Sequence, residues 1–133
     1  KDFVQQVILG SSSSKSYLIQ LKETGRPIGI MSLIHIDTKN RNAECIIDIG
    51  EKTYWGKGYG FEAMTLLLDY AFLELNLHRV NLRVFSFNHK AIKLYEKIGF
   101  VHEGGSRQSL YRNGVWHDIV HMGILQTEYA SKG

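Results

Sequence analysis

Apolar and polar positions alternate with a period of two along residues 16–22, 28–36 and 43–49. Between the first two runs lies the turn Glu23-Thr24-Gly25-Arg26-Pro27, and between the second and third a polar stretch over residues 37–42. Period two with turn-forming breaks predicts three strands in an antiparallel meander. Ahead of them a short Val/Ile/Leu-containing stretch is cut off by the polar run Ser11 to Ser14. The period changes after residue 58. Glu62, Thr65, Asp69 and Asn76 form one narrow polar stripe through residues 58–75, which predicts a helix buried over most of its circumference and laid across a sheet. Residues 79–84 alternate again as a short strand. Residues 101–111 and 116–125 flank Arg112-Asn113-Gly114-Val115, where Asn-Gly is a strong hairpin signal. Strand, long helix, strand between residues 43 and 84 predicts a parallel neighbour pair in an otherwise antiparallel sheet.

Where the strand-like run gives way to the long helix, the chain reads Tyr54-Trp55-Gly56-Lys57-Gly58-Tyr59-Gly60-Phe61-Glu62-Ala63. Glycine permits positive φ and close backbone approach, and the helix start offers unpaired N–H groups at the positive end of its dipole, so the segment suits a pyrophosphate. Two better-known phosphate motifs do not fit it. A dinucleotide fingerprint needs its third glycine where Phe61 stands, and an NTPase phosphate loop needs Ser or Thr after the lysine, where Gly58 stands. Taken by itself, the segment is also compatible with a plain flexible turn.

A second motif follows 32 residues after Gly56: Asn88-His89-Lys90-Ala91-Ile92-Lys93-Leu94-Tyr95-Glu96-Lys97-Ile98-Gly99-Phe100. Asn88 is a good N-cap and Gly99 a good stop, so a short helix lies between them. Asn88, Ala91 and Tyr95 share one face, Leu94 and Ile98 form an apolar stripe for the sheet, and Lys90, Lys93 and Lys97 recur on a third, solvated face.

Together the two motifs resemble the GNAT superfamily of acetyl-CoA-dependent N-acetyltransferases, over about residues 16–129. The family's pyrophosphate loop, Gln/Arg-x-x-Gly-x-Gly/Ala, maps onto Trp55, Gly56, Lys57, Gly58, Tyr59 and Gly60, with Trp55 replacing the usual polar first residue. Trp-Gly-Lys-Gly-Tyr is similar to the branch that holds ribosomal-protein N-terminal and spermidine/spermine acetyltransferases. The resemblance implies an α/β (α+β) fold with a mixed, mostly antiparallel sheet flanked by helices, whose parallel strand pair splays apart where CoA enters. It implies acetyl-CoA as cosubstrate, held by the loop through Phe61 and by Asn88 and Ala91 along the pantetheine arm. Tyr95 is implied as the general acid.

Acetyl transfer to an amine also needs a route for the amine's proton, because a lysine-like amine with a pKa of about 10.4 is mostly protonated at neutral pH. Glu44, on the strand leading into the loop, is the candidate base, directly or through a water; a structural hydrogen bond to a neighbouring strand is the other reading of this residue. Asp48 and Glu51 are weaker carboxylates. The strand edge at Asp48 and Ile49, with the glycine loop, would hold the acetyl carbonyl against backbone N–H groups. The acceptor is expected to be a primary amine of a small molecule or a protein N-terminus, and self-association is plausible by resemblance. A CoA-binding sensor without turnover is the alternative, although retention of both Tyr95 and the glycine loop favours an enzyme.

Composition narrows the picture further. The 133 residues, 44% of them hydrophobic, have room for one domain with a single core and contain no apolar run of about 18. Compared with the family, this single acetyltransferase domain, residues 1–133, is expected to lack part of the usual N-terminal region. Sixteen Lys and Arg against 13 Asp and Glu give +3, scattered rather than clustered, which argues against nucleic acid and suits a polyanionic cosubstrate. A lone cysteine, Cys45, supports no disulfide framework and favours a cytoplasmic setting and a packing role. His117 and His121 stand about 13 Å apart along a predicted strand, too far to share an ion, and His35, His78, His89 and His102 fall in different elements. No metal or membrane partner is expected.

Overall fold

A computed structural model describes residues 3–10, 13–50 and 58–131. Among these, seven strands form one sheet: β1 (Phe3–Gly10), β2 (Lys15–Leu21), β3 (Pro27–Asp37), β4 (Asn42–Ile49), β5 (Arg79–Phe85), β6 (Val101–Arg112) and β7 (Val115–Leu125). Their order across the sheet is β1-β2-β3-β4-β5-β7-β6. The predicted meander is present, with β1 to β4 paired antiparallel in sequence. The stretch before Ser11, which carried no assigned element, is β1, paired along β2 from Phe3 to Gly10.

The expected crossover is also present: β4 and β5 pair in parallel, with helix α1 (Tyr59–Asp69) between them. The hairpin falls where Asn-Gly puts it, with φ +52° at Asn113 and +77° at Gly114, both in the left-handed region that a two-residue type I′ turn requires. Helix α2 (His89–Ile98) lies between β5 and β6, and a six-residue helix α3 (Gln126–Ser131), not anticipated from the pattern, follows β7.

Two features of the long helix differ from expectation. Its α-helical part stops at Asp69, and Tyr70–Glu74 form a π turn in which the Leu75 N–H reaches back five residues to the Tyr70 carbonyl at 3.0 Å. Neither glycine nor proline marks this change, so the sequence carries no punctuation for it. Leu73, four residues beyond Asp69, lies on the polar stripe and is 72% exposed. The stripe is also less solvated than its composition implies, because Asp69 accepts a hydrogen bond from the Tyr129 hydroxyl of α3.

The core lies on one face of the sheet. Ile19, Met31, Leu33, Ala43, Cys45, Val80, Leu82, Met122 and Ile124 point from alternate strand positions toward Ala63, Met64, Leu67 and Leu68 of α1 and Phe72 of the π turn. Fully burying a side chain of this size stabilises the fold by about 1.5–3 kcal/mol, which fixes the register of each central strand. Ile98 and Phe100 close this core beside α2. The opposite face carries Ser16 and Ser32, hydrogen-bonded at 2.9 Å, and the exposed apolar residues Ile30, Ile46 and Phe85.

Candidate active site

The parallel seam is short. Asn42, Ala43 and Glu44 pair with Arg79, Val80 and Asn81, and the pairing ends there although β4 continues to Ile49 and β5 to Phe85. Beyond the seam each strand stays bound to its own half of the sheet, Ile49 opposite Gly29 on β3 and Phe85 opposite Ile119 on β7. The result is a V-shaped slot between the arms 45–49 and 82–85.

The next described element after β4 is α1. Gly58 is its N-cap with φ +85°, a left-handed conformation that strains any residue with a Cβ, and it contributes no side-chain cap. The first intrahelical bond is Glu62 N–H to the Gly58 carbonyl at 3.0 Å, so the N–H groups of the preceding turn point out of the helix end. Of the expected loop residues, Trp55, Gly56 and Lys57, with Glu51, lie outside the described residues. Tyr59, Gly60 and Phe61 belong to the first turn of α1 rather than to the loop. Gly60 has a packing role: a Cβ there would stand 3.3 Å from Leu94 Cδ2 of α2.

Helix α2 forms as its caps predict. The Asn88 side chain accepts a hydrogen bond from the Ala91 N–H at 3.3 Å, and the Gly99 and Phe100 N–H groups close the far end on the Tyr95 carbonyl. Asn88 is thus occupied as a cap, while Ala91 and Tyr95 pack against the core. The three lysines are exposed, and Lys97 Nζ sits 5.2 Å from the centre of the Phe61 ring. The Tyr95 ring meets Phe100 edge-on at 5.9 Å. Burial, with a further contribution from neighbouring Cys45, pushes the Tyr95 phenol up to about 12, so it is a neutral O–H donor across the physiological range. Cys45 is the buried packing residue that was expected, 3.8 Å from the Met64 sulfur, with its thiol raised to about 12 chiefly by burial.

Glu44 points to the opposite face from Cys45. One carboxylate oxygen accepts a hydrogen bond from Arg83 Nε of β5 at 3.0 Å, with the Glu44 side chain 13% exposed and that of Arg83 58%. Of the two readings left open for this residue, the bond to a neighbouring strand is therefore present. Asp48 is exposed toward the end of β4 and Ile49 is half-buried beside it.

Sequence reasoning passed over Arg83 and Phe85. Both alternate with Leu82 and Val84, whose burial on the helix side sends Arg83 and Phe85 to the Glu44 side. Phe85 packs on Phe87 at 5.6 Å, and Phe87 on His117 at 4.7 Å. Of the other histidines, His102 bonds Glu96 at 2.6 Å, and His121 bonds Ser106 at 3.3 Å.

Residues 2–101 match the family described as acetyltransferase (GNAT) domain. Spermidine N(1)-acetyltransferase of Vibrio cholerae is 40% identical over 105 residues, covering 79% of this chain and 60% of that protein. An N-acetyltransferase of Bacillus licheniformis, p20, is 33% identical over 132 residues, 98% of this chain and 74% of that one. The solved structure of the Vibrio cholerae enzyme in complex with CoA and spermine superimposes with a TM-score of 0.83 at 35% identity, over 90% of this chain and 69% of that one. A dodecameric structure of that enzyme gives 0.85 at 34% identity, over 92% and 71%. This chain thus spans about three-fifths of the length of the Vibrio cholerae protein over which their sequences align.

Proposed function

The chain belongs to the acetyltransferase (GNAT) family, and we propose that it transfers an acetyl group from acetyl-CoA directly to a primary amine of a small molecule or a protein N-terminus. The observation that carries this reading is the seam that ends at Glu44 and Asn81, beyond which β4 and β5 continue unpaired with each other. An acetyl thioester threaded there has its pyrophosphate at the helix start, where the left-handed Gly58 and the outward N–H groups suit an anion. Gly56, Lys57 and Trp55 extend that cradle, and Asn88 and Ala91 border the pantetheine arm.

In the transfer, the amine nitrogen forms a bond to the acetyl carbon as the carbon–sulfur bond breaks. Tyr95, kept protonated by its raised pKa, hydrogen-bonds the departing thiolate and gives it the phenolic proton, which it regains from solvent. The nitrogen's proton leaves through Glu44, whose second oxygen is available beside the one on Arg83, directly or by way of water. The strand edge at Asp48 and Ile49 steadies the carbonyl oxygen. Orientation in the slot supplies much of the rest, since well-placed reactants avoid about 7–11 kcal/mol of barrier.

A cytoplasmic setting is supported by the single buried cysteine. Among the described residues no helix is long and apolar enough to cross a membrane. Self-association is supported by the dodecameric Vibrio cholerae relative. The test is titration with acetyl-CoA followed by thiol release over a panel of amines and peptides, beside Tyr95→Phe. Binding with Tyr95-dependent turnover is expected; binding without turnover would favour the sensor.

A further inference from the structure

Resting on acetyl transfer at the slot, we propose that the acceptor is a monoamine with an aromatic body, its ring lying on Phe85 and its nitrogen toward Glu44, rather than a polyamine.

The parallel register sets the levels of the slot on this face. Glu44 and Asn81 mark its point, Ile46 and Arg83 the next step, and Asp48 and Phe85 the rim. At the point, Arg83 already holds one oxygen of the Glu44 carboxylate at 3.0 Å, which leaves the other for the reacting nitrogen and none for a second ammonium. Among the described residues of the two arms, the remaining carboxylate is Asp48. A polyamine places ammonium groups a few methylenes apart and is held by a matching row of carboxylates. Here the second position is occupied by the Arg83 guanidinium, more than half exposed. Behind the rim, the Arg112 guanidinium lies 5.4 Å from the centre of the Phe87 ring. Both cations repel a second ammonium.

What the arms offer instead is apolar. Ile46 on one arm and Phe85 on the other are 45% and 40% exposed, large fractions for side chains of this kind beside a cleft. Phe85 is backed by Phe87, which is backed in turn by His117, so the exposed ring is braced and presents a flat surface. A ring between Phe85 and Ile46 gains offset or edge-to-face contact that a flexible aliphatic chain cannot match.

The experiment measures thiol release at saturating acetyl-CoA with 2-phenylethylamine and with spermidine, for the chain and for Phe85→Leu, which keeps an apolar side chain but removes the ring. The expected result is a higher kcat/KM for 2-phenylethylamine than for spermidine, falling about two- to tenfold in the variant, mainly through KM, with a smaller change for spermidine. Arg83→Gln is expected to narrow the difference by relieving repulsion of the second ammonium. Preference for spermidine, or indifference of 2-phenylethylamine turnover to Phe85→Leu, would overturn the proposal while leaving acetyl transfer intact. Acetyl-CoA binding without thiol release from any amine would overturn acetyl transfer and this proposal together. Thermal melts and acetyl-CoA titration of each variant separate loss of fold from loss of acceptor contact.

Discussion

Gly60 and Leu94 join α1 to the helix that carries Tyr95, in a contact so close that a Cβ on Gly60 would stand 3.3 Å from Leu94 Cδ2. Gly60→Val has to push α2 away or twist Leu94 off its rotamer. Overpacking of this kind costs about 1–3 kcal/mol, so thermal denaturation should show a midpoint lowered by several degrees. Because Tyr95 lies one residue beyond Leu94, kcat should fall more than acetyl-CoA affinity. Unchanged kcat in a destabilised variant would mean that the contact serves stability alone.

Tyr95→Phe removes the proton donor while preserving the ring contact with Phe100, and should lower kcat about 10²- to 10⁴-fold with little change in acetyl-CoA affinity. The raised phenol also fixes a sign. Its folded-state pKa of about 12 exceeds the usual 10, so its contribution to stability is complete below about pH 10 and is lost as pH rises toward 12. Denaturant melts should therefore show the native chain losing stability relative to Tyr95→Phe as pH climbs through that window. Below it, the phenol should contribute no alkaline limb to the rate profile.

Glu44 and Arg83 meet across the mouth of the seam with Arg83 more than half exposed, so their coupling in a double-mutant cycle of stability should be small, about 0–1 kcal/mol. Their effect on turnover should be larger. Glu44→Gln removes the proposed proton acceptor and should lower kcat/KM by about 10²-fold or more. Activity of Glu44→Gln equal to that of the native chain would assign the proton to water alone and leave Glu44 as a strand-to-strand tie.

Gly123 lies beneath a bidentate ion pair. Arg79 and Glu103 are joined by two contacts of 2.6 Å, and a Cβ at residue 123 would come within 2.5 Å of Glu103 Oε2 and 2.6 Å of Arg79 Nη1. Gly123→Ala should displace this pair and lower stability at neutral pH. The Arg79 guanidinium holds the Glu103 carboxyl below its usual range, so the pair's contribution is present above about pH 4.5 and fades as pH falls through the lowered value. The gap between native and variant midpoints should accordingly shrink in acid. A gap that stays constant with pH would trace the cost to backbone strain instead.

Strands β2 to β5 were legible because each has one more buried and one more exposed face, so alternation survives in the sequence, while β6 and β7, exposed over much of their length, were legible from the Asn113-Gly114 turn between them. Leu82 and Val84 against Arg83 and Phe85 show how sharp that record is. The parallel pair followed from the length of the crossover, and α2 from Asn88 and Gly99, residues whose local hydrogen bonds are needed at those positions. What escaped depended on partners distant in the chain. Glu44 and Arg83 are 39 residues apart, and only the register of the seam brings them together. The π turn rests on the choice of carbonyl made by Leu75, which no side chain announces. Helix α3 and the Tyr129 bond to Asp69 convert a polar stripe that reads as solvated into a docking surface.

Three rungs of parallel pairing are a thin weld between two leaves, the four-stranded meander and the β5-β7-β6 unit. The meander and the β6-β7 hairpin are zipped by antiparallel neighbours close in sequence, whereas the weld, like the β5–β7 pairing, requires closure of a long connection, an entropic cost met late in folding. The meander is therefore a natural cooperative unit, and α1, packed across it, is the clasp that lets the second leaf close on it. Protection of the Ala43 and Val80 amides against hydrogen exchange would time that closure, and a chain caught before it would have an intact meander with no slot beside it.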